Sequence, residues 1–209
     1  MQAPILSNFI GGRWVASTGS DTVDVHNPAT GKVIARTPMS AGSDVDAAVA
    51  AAAKAFPGWS ETPPVLRARA MFTFKALLEV HLDELAHIVT TEHGKTLEES
   101  RGSVRRAIEC VEVACGAPSM LMGDALENVA AGIDCTSMRQ PIGVCAAIAP
   151  FNFPAMVPLW FLPFAVVSGN TFVLKPSEQV PLSQQRMFEL LEKCDLPPGV
   201  VNLVNGGRS

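Results

Sequence analysis

The sequence predicts a doubly wound α/β fold built on a parallel sheet, and three observations carry that expectation. Between Ile142 and Val204 short apolar segments alternate with helical ones in the order strand, helix, strand, helix, strand. Two successive βαβ units of this kind make a parallel sheet covered by helices. A chain of 209 residues with 48% hydrophobic content also has enough apolar material for one sizeable core. Finally, the longest apolar stretch, Phe151 to Val167, contains Asn152 and three prolines. It falls short of the roughly 20 residues needed to span a bilayer, so it reads as a buried helix with its preceding loop, and no membrane partner is expected.

Taken in order, the first forty residues alternate apolar segments with turn signals. Gly11-Gly12 is one turn; the run Asn27-Pro28-Ala29-Thr30-Gly31-Lys32 is another, between Val23-Asp24-Val25 and Val33-Ile34-Ala35, and predicts a hairpin. Ser43 as N-cap, Asp44 in the first turn and an alanine-rich run to Ala55 predict a helix that Pro57-Gly58 terminates. From Pro64 to about Cys115 apolar residues recur three and four apart, predicting packed helices interrupted at Gly94 and Gly102. Residues 122–141 are more polar, with Gly132 between candidate strands, and read as a hairpin arm leaving the main body; such arms commonly serve oligomerisation. The final third supplies strand Ile142–Ile148, helix Ala155–Val167, strand Thr171–Leu174, helix Leu182–Lys193 and strand Val200–Val204. With the sequence closing just after that last strand, an unpaired sheet edge is expected there.

Composition narrows the function. Sixteen basic against twenty acidic residues give a net charge of −4 with no Lys/Arg run, which argues against a nucleic-acid partner. The start, MQAPILSNFIGGRW, lacks the charged-then-apolar pattern of a secretory signal, so a cytoplasmic protein is expected. Five cysteines with no CxxC indicate neither a disulfide framework nor a metal site.

In open α/β sheets ligands gather at the carboxyl ends of the strands, which directs attention to the loops after Ile148 and Leu174. The first is Ala149-Pro150-Phe151-Asn152-Phe153-Pro154. Its amide either donates to an oxyanion forming on a carbonyl substrate or caps the following helix, and Phe151 and Phe153 fit a core role as well as a cofactor contact. The second is Lys175-Pro176-Ser177-Glu178-Gln179, where a cation and a carboxylate three apart either bracket a ribose diol or form a solvated ion pair. No GxGxxG fingerprint is present.

These residues together resemble the aldehyde dehydrogenase superfamily. The resemblance rests on Pro141-Ile142-Gly143-Val144 through Pro150-Phe151-Asn152-Phe153-Pro154, on Gly169-Asn170-Thr171 and on Lys175-Pro176-Ser177-Glu178. It extends to Phe9-Ile10-Gly11-Gly12 and the Asn27–Gly31 turn. Phe151 stands where many hydrolytic members have tryptophan, and Gly116–Gly123 is similar to the matching stretch of methylmalonate-semialdehyde dehydrogenases.

The resemblance implies a fold, a reaction and a set of roles. Residues 1–121 become the N-terminal hairpin and helices of an NAD-binding domain, 122–141 an oligomerisation arm and 142–209 the first βαβαβ of its sheet, with the catalytic domain absent. Such enzymes attack a methylmalonate or malonate semialdehyde with a cysteine thiolate, pass hydride to NAD and hand the thioester to coenzyme A. Asn152 would be the oxyanion donor, with Ala149 and Phe151 along the cofactor. Lys175, Glu178 and Gln179 would hold the adenosine side of NAD, although Gln179 replaces an arginine common in the subfamily. Arg106 would meet the substrate carboxylate, or else be a surface helix cation. A homo-oligomer, by resemblance a tetramer, is implied. None of the five cysteines sits in the nucleophile context, so the nucleophile is expected beyond Ser209 and the chain alone is expected to be inactive. Two other readings stay open: a conventional hydrolytic aldehyde dehydrogenase, and a non-catalytic nucleotide-binding or oligomer-interface module.

Overall fold

The computed structural model describes residues 3–207. Strands β1 (Asn8–Ile10) and β2 (Arg13–Val15) form a tight hairpin. Gly11 and Gly12, at φ +60° and +79°, make the two-residue loop, a conformation closed to most side chains. A second hairpin joins β3 (Thr22–His26) to β4 (Val33–Pro38), its turn held by the Ala29 N–H on Asn27 Oδ1 at 2.9 Å.

Helix α1 (Gly42–Glu61) departs from expectation at both ends. Its N-cap is Ala41, not Ser43. Asp44 organises the start instead, accepting the N–H of Ala41 and the N–H and hydroxyl of Thr18. At the other end the helix runs through Pro57-Gly58, because Trp59 is buried in the core and donates its indole N–H to Val166 O at 2.8 Å. That anchorage offsets the hydrogen bond which Pro57 cannot make.

Helices α2 (Pro64–Val80), α3 (Leu82–His93) and α4 (Leu97–Cys115) follow. Gly94 ends α3 in the left-handed conformation, as a glycine there should. Gly102 interrupts nothing and lies inside α4, while the break unmarked by any glycine or proline falls at His81. A capping box of Thr96 and Glu99 starts α4. After the short α5 (Ala117–Met120), β5 (Ala125–Ala130) and β6 (Ile133–Thr136) pair with each other only, and every residue of both is exposed.

The last third alternates β7 (Val144–Ile148), α6 (Met156–Leu159), α7 (Leu162–Val167), β8 (Thr171–Lys175), α8 (Leu182–Leu191) and β9 (Val201–Leu203). The single helix expected over Ala155–Val167 is two, separated at Trp160-Phe161. Pro163 explains the break, since it has no N–H to bond back and its ring would collide with the carbonyl of Leu159, where α6 ends.

Strands β7, β8 and β9 are parallel, and the full sheet order is β2-β1-β9-β8-β7. The edge expected beside β9 is therefore not free: β1 runs antiparallel along it, with Phe9 opposite Leu203. Among the described residues the unpaired edges are β2 and β7, and on β7 Ile148 is 80% exposed. Helices cover both faces. Val173 and Val204 pack on Ala48 and Ala52 of α1, whereas Phe172, Leu174 and Leu203 join the main core with α2, α4 and α6 to α8. This alternation is what a doubly wound sheet requires. No helix is long and apolar enough to cross a membrane among the described residues.

Candidate active site

The loops after β7 and β8 leave the sheet side by side. The Ala149 N–H donates to Lys175 O at 2.9 Å, extending the parallel pairing to the last residue before the first loop diverges. Ala149 is buried. Upstream, Asn170 fixes where these strands begin: its Oδ1 accepts the N–H groups of Ile142 at 2.7 Å and Gly143 at 3.1 Å, while its Nδ2 donates to Ala165 O. The Gly169-Asn170-Thr171 motif is thus a register lock.

Asn152 is exposed in a bend between two prolines. It does not cap the next helix, whose N-cap is Ala155 with no side-chain hydrogen bond. Its backbone carbonyl accepts the Lys95 ammonium at 2.7 Å. The flanking aromatics point into different clefts. Phe151, 55% exposed and so not a core residue, lines one with Gln179, Asp24, His26, Glu92 and His93. Phe153 lines the other, about 300 Å³, with Lys95, Glu99, Ser103 and Arg106 of α4. The 149–154 loop is a partition between them.

Arg106 is exposed and has no ion pair among the described residues, whereas its neighbour Arg105 donates to both oxygens of Glu79 at 2.8 and 2.7 Å. Lys175 and Glu178 pair with each other at 3.2 Å, both partly exposed. Burial pushes the Glu178 carboxyl up, but its own backbone N–H and the Lys175 ammonium outweigh this and hold it below the usual range. Thr37 ties the loop to β4 by donating to Glu178 O at 2.8 Å. Gln179 is exposed and shares the Phe151 cleft rather than the ion pair.

Sequence reasoning missed Lys95, Glu92 and His93. The Glu92 carboxylate is buried and accepts the first N–H groups of α8. Burial, and then the charge on Lys95, keeps His93 below the ordinary imidazole range. The clue was local, since Glu92-His93-Gly94-Lys95-Thr96 joins an αL helix stop to a capping box and so has a fixed course. Burial raises the thiols of Cys110, Cys115 and Cys145, and that of Cys194 to about 12, which disfavours the thiolate that nucleophilic attack needs at these four. The fifth, Cys135, lies on the exposed strand β6. Among the described residues no group of three or more His, Cys, Asp or Glu side chains could hold a metal ion.

The sequence pattern of the aldehyde dehydrogenase family, "Aldehyde dehydrogenase family", matches residues 14–209. The chain belongs to that family. This aldehyde dehydrogenase chain is 53% identical over 207 residues to malonate-semialdehyde dehydrogenase 1 of Geobacillus kaustophilus (strain HTA426), covering 99% of the chain and 42% of the relative. It is 52% identical to the malonate-semialdehyde dehydrogenase of Bacillus pumilus (strain SAFR-032), over 98% of the chain and 42% of the relative. Its structure matches the methylmalonate-semialdehyde dehydrogenase of Oceanimonas doudoroffii with a TM-score of 0.94 at 47% identity, covering 100% of this chain and 42% of that one. A Sinorhizobium meliloti 1021 protein assigned as a methylmalonate-semialdehyde dehydrogenase and complexed with NAD matches with a TM-score of 0.95 at 40% identity, over 99% and 42% of the two chains. The aldehyde dehydrogenase chain therefore spans about two fifths of the length of these relatives.

Proposed function

We propose that this chain is the amino-terminal part of a cytoplasmic, NAD-dependent dehydrogenase that oxidises malonate or methylmalonate semialdehyde and transfers the acyl group to coenzyme A. One observation carries the reading: in a chain more than half identical to malonate-semialdehyde dehydrogenases, Arg106 lacks an ion pair among the described residues and faces the same cleft as the Asn152 loop. A guanidinium fork matches a carboxylate, so Arg106 would hold the substrate's acid end while its aldehyde lies toward Asn152.

Asn152 would donate its amide N–H to the oxygen of the reacting carbonyl as charge develops there. The groups at the carboxyl end of β8 fit a dinucleotide: Glu178 offers an acceptor for ribose hydroxyls and Lys175 a donor, with Ala149 and Phe151 flanking the loop and Gln179 as an outer contact. When bound, NAD supplies the hydride acceptor. The nucleophilic thiolate would come from sequence outside this chain, in keeping with the raised thiols of the buried cysteines. Phe151, in place of the tryptophan of many hydrolytic members, supports coenzyme A over water as acyl acceptor. The exposed β5–β6 arm suits assembly into a homo-oligomer, a tetramer by resemblance.

The test is product analysis with the full-length protein, NAD and methylmalonate semialdehyde, with and without coenzyme A. An acyl-CoA formed in step with NADH is expected. A free acid formed at the same rate without coenzyme A would make this a hydrolytic enzyme.

A further inference from the structure

We propose that Lys95 is the positioning residue for Asn152, holding the oxyanion loop from the α3–α4 link. The inference rests on reading Asn152 as the oxyanion donor and goes beyond it by naming what keeps that donor in place. Two contacts converge on the Lys95 ammonium. It donates to the Asn152 carbonyl oxygen at 2.7 Å, and it lies 3.6 Å from the centroid of the Phe153 ring. One cation thus grips two consecutive residues of the loop, the first through a charge-assisted hydrogen bond and the second through the face of its ring.

The anchor is itself well held. Gly94 closes α3 with the left-handed turn, and Thr96 opens α4 with a capping box in which the Thr96 N–H donates to Glu99 Oε2 at 3.0 Å. Lys95 is the single residue between them, so its backbone has little freedom. The loop, in contrast, makes no ladder beyond Ala149 and contains only bends and turns to Ala155. A peptide held at its carbonyl oxygen is restrained against rotation, and rotation would swing the adjoining Asn152 side chain. Lys95 also shares the Phe153 cleft with Arg106, so the group that places the oxyanion donor stands on the wall that would receive the substrate.

The experiment is a double-mutant cycle in the full-length enzyme, read as kcat and KM with methylmalonate semialdehyde and with propanal. Lys95→Met is expected to lower kcat by roughly 10- to 100-fold on both aldehydes alike, leaving KM for NAD unchanged, since a small misplacement of a catalytic group has effects of that order. Lys95→Arg, which keeps charge and donors, should recover part of the loss. In an Asn152→Ala background Lys95→Met should change kcat less than twofold, because a residue acting through another is silent once that other is gone. Additive losses would overturn the proposal, as would a loss confined to methylmalonate semialdehyde, which would make Lys95 a substrate contact. Unaltered kcat in Lys95→Met would do the same. Should Lys95→Met fail to fold, the cycle runs with Lys95→Arg, where additivity again overturns it. If Asn152→Ala alone leaves kcat intact, the oxyanion reading itself fails, an outcome separate from failure at Lys95.

Discussion

Glu92, the penultimate residue of α3, accepts the backbone N–H of Ser183 at 3.0 Å and so supplies from another helix the N-terminal cap that α8 lacks in its own sequence. The neighbouring Leu182 N–H reaches the same carboxylate at 2.6 Å. This carboxyl is buried at the floor of the Phe151 cleft, and burial raises it from 4.5 to about 7, with the backbone N–H groups offsetting part of the rise.

A pH dependence of stability follows. Between pH 4.5 and about 7 the folded protein keeps a proton on Glu92 that the unfolded chain has released. The contribution is thus fully present at the acid end and is lost as pH rises through that window, by about 1.4 kcal/mol per unit at its steepest. Denaturant titrations of the full-length protein should show that slope reduced in Glu92→Gln. Parallel pH profiles for the two proteins would mean Glu92 is ionised throughout.

Arg106 should set the preference for carboxylated substrates. In Arg106→Leu, kcat/KM for methylmalonate semialdehyde should fall by roughly 100-fold or more, the order of a lost charge-assisted pair, while that for propanal changes little. An unchanged ratio between the two aldehydes would return Arg106 to the role of a surface cation.

The isolated 209-residue chain should neither oxidise aldehydes nor behave as a clean monomer. Strand β7 offers an open edge, and beside it Ile148, Trp160 and Phe161 are 80%, 45% and 51% exposed. Apolar surface of that kind favours association at roughly 25 cal/mol per Å² removed from water. Size-exclusion chromatography with near-UV circular dichroism, reported by Trp14, Trp59 and Trp160, should show self-association. A monodisperse, cooperatively melting monomer contradicts this, and NADH produced by it would contradict the placement of the nucleophile outside the chain.

What the sequence disclosed and what it hid divide along physical lines. The βαβαβ rhythm was legible because buried parallel strands are continuous apolar runs set off by turn residues, as in Thr171–Lys175. Gly11-Gly12 and Gly94 were legible because left-handed backbone selects glycine. The course of α1 past Pro57 was not, since it depends on Trp59 meeting Val166, 107 residues away. The pairing of β1 with β9 was hidden for the same reason. In the site, Asn152 stood out by its place in the loop after a strand and Arg106 only through resemblance. The partners of Lys95 and Glu92 lie far along the chain, so that the fixed course of residues 92–96 was legible but what it holds was not.

The proposed function divides labour between two neighbouring loops, the 149–154 loop for chemistry and the 175–179 loop for the cofactor. Steady-state kinetics of Asn152→Ala and Glu178→Ala in the full-length enzyme tests it most directly. Asn152→Ala should lower kcat by about 100-fold or more with KM for NAD unchanged, because an oxyanion donor acts in the transition state. Glu178→Ala should raise KM for NAD more than that for aldehyde and leave kcat nearly intact. Small and equal effects from both substitutions would contradict that division.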